Sequence, residues 1–257
     1  MTAARSGAGA DAPAADRGTW LRRFDGTRDG GVRVAVLPHA GGSASGYRAL
    51  SAALSVDFEV VCVQYPGRQD RYREQPVSDL RELASQVAAV LRHEDDRPLA
   101  LFGHSMGATL GFEVARLLER DGVPPVALFA SARRAPGRPL PERVHQRDDA
   151  GLLAEMSALG GTDERVLAEP ELLRLYLPVV RADYRAIETY RCPEGAVVGC
   201  PITALVGDAD PRVPVEVARA WQQHTTAGFD FRVFPGGHFY LDEHTEAVAR
   251  LVRDALG

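Results

Sequence analysis

Residues Gly103 to Gly107 read G-H-S-M-G, a single serine with glycine two positions before and two positions after it. An apolar run, "PLALF", leads into this stretch. After it, Leu110, Val114, Leu117 and Leu118 fall at i, i+4, i+7 and i+8, the spacing of one buried helix face. A serine at the apex of a sharp strand-to-helix turn sits in a strained backbone conformation. Its neighbours must be small, or strand and helix could not approach so closely. The strain would hold Oγ outward at the carboxyl edge of a sheet, and the helix N-terminus would aim backbone N–H groups at any negative charge forming there. The chemistry implied is nucleophilic attack by Ser105.

A serine hydroxyl is a poor nucleophile until a base takes its proton. Seven histidines compete for that role. His238 fits best, because "PGGHF" is a glycine-softened loop between the strand-like "FRVF" and the last helical run. His104 adjoins Ser105, but neighbours across a sharp turn point apart, which makes it structural. The base in turn needs a carboxylate to fix its tautomer and stabilise the imidazolium. "VGDADP" offers Asp208 and Asp210 at the end of another strand-like run. Asp208 suits a turn role. Asp210, held extended by Pro211, can reach back over the strand ends and is the preferred partner. An oxyanion needs two preorganised donors. The Met106 N–H, just after the nucleophile, is one, and Ala40 in the loop "LPHAGG" is the choice for the other.

The elements that must position these groups are legible as alternation. "VRVAVL" (32–37), "FEVVCV" (58–63), "PLALFG" (98–103), "VALFASA" (126–132), "PITALVG" (201–207) and "FDFRVF" (229–234) read as strands. Helical patterns separate them at about 47–54, 79–92, 106–120 and 215–223, and a last one buries Val248, Leu251, Val252 and Ala255. Asp79 and Glu82 form a capping-box-like pair. Such alternation predicts a mostly parallel sheet with helices on both faces. Between Arg133 and Gly199 the alternation lapses into an Arg/Pro-rich connector and two helical segments, at about 148–159 and 170–190. Leu172, Leu173, Leu175, Tyr176, Leu177, Val179 and Val180 of the second cover more than one face, and Pro178 interrupts them. This stretch reads as a helical lid inserted over the strand ends, where α/β sites lie. Leu173 and Leu177 are its expected inward positions.

The 257 residues carry a net charge of −5, with 45 % hydrophobic and 25 % charged side chains. That is ordinary for a soluble domain and argues against general nucleic-acid binding. No apolar run approaches the ~20 residues that span a bilayer. The Ala/Gly-rich residues 1–18 read as a disordered leader, and 19–257 as one domain. Cys62, Cys192 and Cys200 form no metal-spacing motif and read as free thiols in a reducing, cytoplasmic setting. All 30 basic residues are arginine.

"LPHAGGSASGY", "QYPGRQDR", "FGHSMGA", "RADYRAIETY", "GDADP" and "PGGHFYL", in this order, resemble the type II thioesterases of polyketide and non-ribosomal peptide synthesis. The resemblance covers nearly the whole chain after about residue 18. It implies an α/β-hydrolase fold with a helical lid. It also implies hydrolysis of aberrant or stalled acyl groups from the phosphopantetheine arm of acyl or peptidyl carrier proteins. On it the triad falls on Ser105, Asp210 and His238, and the oxyanion donors on Ala40 and Met106. No metal or redox cofactor is implied, the partner is a carrier protein of a separate synthase, and the chain is expected to be a monomer. The triad alone would equally serve a generic carboxylesterase, and a non-catalytic chaperone of carrier proteins would lack the nucleophile or the base. Because carrier proteins of the family are acidic and this chain is also net negative, docking calls for a local basic patch. Arg133, Arg134, Arg138, Arg143 and Arg147 are the first candidates, and Arg68, Arg71 and Arg73 the second.

Overall fold

The structure, a computed structural model, describes residues 17–24, 31–92, 96–138, 142–160 and 169–257. Seven strands form its sheet: β1 (Leu21–Arg22), β2 (Arg33–Leu37), β3 (Glu59–Val63), β4 (Leu99–His104), β5 (Ala127–Ser131), β6 (Ile202–Gly207) and β7 (Phe229–Phe234). Their order is β1-β3-β2-β4-β5-β6-β7. Every neighbouring pair is parallel except the edge pair β1–β3. β2, β3 and β5 are buried along their whole length, as expected of apolar runs covered on both faces.

Six helices matter for the site: α1 (Arg48–Leu54), α2 (Leu80–Arg92), α3 (Met106–Arg120), α4 (Asp149–Leu159), α5 (Pro170–Thr189) and α6 (Thr245–Leu256). α1 and α6 cover one face of the sheet with Leu50, Leu54, Val248 and Val252. α2 and α3 cover the other with Leu83, Val87, Leu110, Phe112 and Val114. The chain leaves β2 for the first face and β4 for the second. The loops after these adjacent strands therefore diverge, and the crevice between them is where α/β sheets bind ligands.

Several expectations are corrected in detail. Ala255 is exposed, and Ala249 takes its place on the buried face of α6. The Asp79 carboxylate caps α2 by accepting the N–H groups of Arg81 (2.8 Å) and Glu82 (3.0 Å). Glu82 does not reciprocate, since it accepts from Gln86 (3.3 Å) instead. The helix expected at 215–223 is a short turn, Val215–Ala218, continued as a 3-10 helix, Arg219–His224, that carries the buried Trp221. β1 was not legible, because two residues carry no periodicity. Of the leader expected at 1–18, residues 1–16 lie outside the described residues, and Arg17–Trp20 forms a helical turn.

Pro178 does not break α5, which runs unbroken from Pro170 to Thr189. A proline inside a helix removes one hydrogen bond and strains the turn before it. Packing outweighs that cost here: Leu177, Val179 and Val180, flanking the proline, are all buried. Leu152 and Met156 of α4 join Leu177 and Val180 in a small core of their own, packed with Leu173, Tyr176 and Tyr184. Leu173 and Leu177 therefore hold α5 to α4. Both face inward, as expected, into this small core.

Candidate active site

Ser105 stands at the turn between β4 and α3 with φ 55° and ψ −117°. A non-glycine residue there is strained by about 1–3 kcal/mol, which the surroundings must offset. Both flanking glycines are required by backbone contact. A Cβ on Gly103 would fall 2.1 Å from the Gly107 carbonyl oxygen, and one on Gly107 would fall 2.0 Å from that of Leu37. The elbow thus packs directly on the end of β2. The Ser105 N–H is tied to the Ser131 carbonyl at the end of β5 (2.8 Å).

Three of the sequence-selected side chains meet. His238 Nε2 lies 2.9 Å from Ser105 Oγ, and His238 Nδ1 lies 2.8 Å from Asp210 Oδ2. The other oxygen of Asp210 accepts the backbone N–H groups of Arg212 (2.8 Å) and Val213 (3.2 Å). Asp208 points elsewhere: its Oδ1 accepts the Gly236 N–H (2.9 Å) and ties the β6 turn to the loop that carries His238. His238 and the Asp210 carboxylate are almost wholly shielded from solvent, at 4 % and 0 % side-chain exposure. Their mutual hydrogen bond is therefore poorly screened.

The donors selected for an oxyanion lie on the two diverging loops. Met106 opens α3, where a helix leaves its first N–H groups without intrahelical acceptors. Ala40 sits in a loop that is held at several of its other backbone groups. Tyr65 Oη donates to the Pro38 carbonyl (3.1 Å), and the His39 N–H donates to Tyr47 Oη (3.1 Å). The Gly41 N–H donates to Asp183 (2.7 Å), Arg68 Nε donates to the Gly42 carbonyl (2.9 Å), and the Ala44 N–H donates to Gln64 (2.8 Å). The N–H groups of Ala40 and Met106 donate to no group among the described residues.

Beside the base lie two further imidazoles, His104 and His39. His104 is fully buried beside His238, with ring centroids 5.5 Å apart. Its Nδ1 bonds Ser131 Oγ (2.9 Å), which bonds Tyr240 Oη (2.7 Å). Burial pushes the His104 imidazole well below its usual range, and the nearby His238 and His39 add to that shift. Burial likewise lowers His39 to about 3. Both stay neutral at ordinary pH. Of the remaining histidines, His145 pairs with Glu188, while His224 and His244 bond the carbonyls of Ala196 (2.9 Å) and Pro235 (3.0 Å). His93 lies outside the described residues.

The arginine candidates divide sharply. Arg134 is buried and donates to the Arg212 carbonyl (2.6 Å). Arg133 carries a buried Nε without a hydrogen-bond partner among the described residues, and burial depresses its guanidinium to about 10. Arg68 and Arg71 are buried too, the first paired with Asp183 and the second with Glu74. Arg68, Arg71 and Arg134 are part of the interior and not a docking surface, and Arg133 is half-buried. Arg147 is paired with Glu155 (3.1 Å). Arg73, Arg138 and Arg143 are exposed. Sequence alone could not separate the groups, since arginines in polar loops carry no burial signal. Beside Gly41 an apolar groove of about 380 Å³ runs between α5 and the 67–72 loop. Tyr72, Leu172, Leu175, Tyr176 and Val179 are among the residues that line it.

The parallel sheet, the strained serine at the β4–α3 turn and the histidine after the last strand define an α/β hydrolase. A family model described as a thioesterase domain matches residues 32–256. The probable cadicidin biosynthesis thioesterase of Streptomyces griseus is 49 % identical over 92 % of this chain and 66 % of its own length. The thioesterase PikA5 of Streptomyces venezuelae is 46 % identical over 94 % of this chain and 86 % of its own. Among solved structures, the type II thioesterase BorB from the borrelidin biosynthetic cluster superposes with a TM-score of 0.86. It is 48 % identical over 93 % of this chain and 98 % of that one. The chain belongs to the thioesterase family. No helix among the described residues is long and apolar enough to cross a membrane.

Proposed function

We propose that this protein is a stand-alone thioesterase that removes aberrant or stalled acyl groups from the phosphopantetheine arm of carrier proteins, working through an acyl-Ser105 intermediate. The observation that carries the reading is the unbroken chain Asp210–His238–Ser105, with contacts of 2.8 and 2.9 Å, at the mouth of the β2–β4 crevice. The thioester class rests on the family and on relatives named for biosynthetic clusters.

The chemistry follows from the geometry. Ser105 Oγ attacks the thioester carbonyl while its proton passes to His238 Nε2. Asp210 holds the opposite nitrogen protonated and stabilises the imidazolium. The oxyanion takes hydrogen bonds from Ala40 and Met106 N–H. Collapse breaks the C–S bond, and His238 returns the proton to the departing pantetheine sulfur. Water then repeats the sequence on the acyl-enzyme, releasing a carboxylic acid and restoring Ser105. The scheme uses no metal or redox cofactor. On this reading the protein acts in the cytoplasm, as a monomer, on carrier domains of a separate synthase.

A panel of acyl groups loaded on one carrier protein, run beside the matching p-nitrophenyl esters, tests the reading. Hydrolysis of the carrier-bound panel, an acyl adduct on Ser105 by mass spectrometry and loss of both in Ser105→Ala are the expected results. Turnover of the free esters alone would make the protein a carboxylesterase instead.

A further inference from the structure

Two of the motifs that carry the family resemblance have no part in the triad: "QYPGRQDR" and "RADYRAIETY". They meet in the structure. Arg68 of the first and Asp183 of the second form an ion pair with side-chain exposures of 4 % and 1 %. The same Asp183 oxygen, Oδ2, accepts both the Arg68 guanidinium and the Gly41 N–H, the latter at 2.7 Å. From its other side Arg68 grips the loop itself, donating Nε to the Gly42 carbonyl (2.9 Å). Gly41 has φ +77°, and a Cβ there would meet Tyr176 and Val180 of α5 at 2.7 and 2.8 Å.

We infer that Asp183 and Arg68 are positioning residues for the oxyanion hole. By fixing Gly41 and Gly42 they aim the Ala40 N–H at the oxygen of the carbonyl attacked by Ser105. The inference rests on the proposed acyl-transfer role of the site, but it concerns a different link. The Ala40 N–H shares a peptide plane with the His39 carbonyl, which accepts the Gly42 N–H (2.9 Å), so displacing Gly41 and Gly42 turns that N–H as well. A bare helix surface at this place would serve packing equally well. A carboxylate buried beside an arginine, with one oxygen shared between that arginine and a single loop N–H, does more than pack. Burial pushes the Asp183 carboxyl up, and Arg68 and the Gly41 N–H oppose that shift. The clamp also makes α5, supplied from 142 residues away, part of the oxyanion hole.

Three variants test the assignment. Asp183→Ala removes the acceptor. Asp183→Asn keeps an oxygen in the place of Oδ2, to accept the Gly41 N–H, while Oδ1 becomes an NH₂ and the charge opposite Arg68 is lost. The double variant Asp183→Leu/Arg68→Met removes the acceptor without stranding a buried arginine, so it remains informative if Asp183→Ala does not fold. Each is read for kcat and KM on an acyl-N-acetylcysteamine thioester and for inhibition by the trifluoromethyl ketone of the same acyl group. The rate of Ser105 labelling by a fluorophosphonate is the third reading. Misplacing one donor by about 1 Å costs about 10²-fold. A loss of that order in kcat, with matching losses in ketone affinity and labelling rate and KM within about threefold, is expected for the Ala and double variants. Asp183→Asn should stay within about threefold of the wild type in all readings. Folded Ala or double variants with wild-type ketone affinity would overturn the inference. So would an Asn variant as impaired as Ala. Wild-type protein that ignores the thioester but labels with fluorophosphonate speaks against the thioesterase reading only, since the labelling comparison among variants still stands.

Discussion

Replacing Asp210 by Asn changes one atom, and the structure says which way the new group must face. Oδ1 accepts two backbone N–H groups, from Arg212 and Val213, at 2.8 and 3.2 Å. An amide NH₂ placed there would oppose two donors at once. The Asn oxygen therefore stays on the backbone side, and the NH₂ faces His238 Nδ1, now 2.8 Å from Oδ2. Nδ1 must then accept, which puts the ring proton on Nε2, opposite Ser105 Oγ. The imidazole in that tautomer cannot take the serine proton. For a triad of this design the loss approaches about 10⁴-fold in kcat, or about 5.4 kcal/mol of transition-state stabilisation. Asp208→Asn makes the control. Its oxygen can go on accepting the Gly236 N–H, so turnover should stay within about fivefold. Stopped-flow acylation with a chromogenic acyl-thioester, and circular dichroism to confirm folding, separates the two. A folded Asp210→Asn enzyme with more than a tenth of wild-type kcat, or a larger loss from Asp208→Asn, would refute the tautomer argument.

Protonation of His104 is favoured in the unfolded chain, because its folded-state pKa lies well below 6.5. Its contribution to stability is thus full above pH 6.5 and falls as pH drops, by up to about 1.4 kcal/mol per pH unit for one such group. Tm should decline between pH 7 and 5, and His104→Asn should flatten that decline; an unchanged slope would count against the buried neutral ring. Reversing Arg138 and Arg143 to Glu should lower kcat/KM on an acyl-carrier protein several-fold at low salt. The N-acetylcysteamine substrate should be untouched, since rim charges act on encounter; equal losses on both substrates would place these arginines in the fold. Reversing the buried Arg134, in contrast, should reduce both through loss of folding. Leu175 lines the groove beside Gly41 and is 55 % exposed. Leu175→Trp should shift the octanoyl-to-acetyl rate ratio by about tenfold, and an unchanged ratio would show that the acyl chain lies elsewhere.

What the sequence determined is local. Gly103, Ser105 and Gly107 specify the elbow because its constraint is steric and spans five residues. Strands β2 to β6 show as apolar runs because they are covered on both faces, whereas β7 at the sheet edge is only partly buried, and α6 shows as a stripe because one side of it is buried. The order Ser105, Asp210, His238 follows from which loop ends which strand, which alternation already fixes. Asp210 could be preferred over Asp208 because Pro211 extends the backbone, although the two-donor grip on its Oδ1 could not be foreseen. Tertiary structure decided the rest. Arg68 and Asp183 are 115 residues apart and look like ordinary loop and helix charges until α5 crosses the β2 loop. Arg133 and Arg134 read as a surface patch, yet the connector tucks them inward beside Trp221, whose indole N–H donates to the Arg133 carbonyl (2.8 Å). Pro178 signals a break, and packing on both sides of it overrides that signal. Periodicity reports which face of an element is buried. It is silent about which distant element buries it, because that partner is chosen by the path of the whole chain.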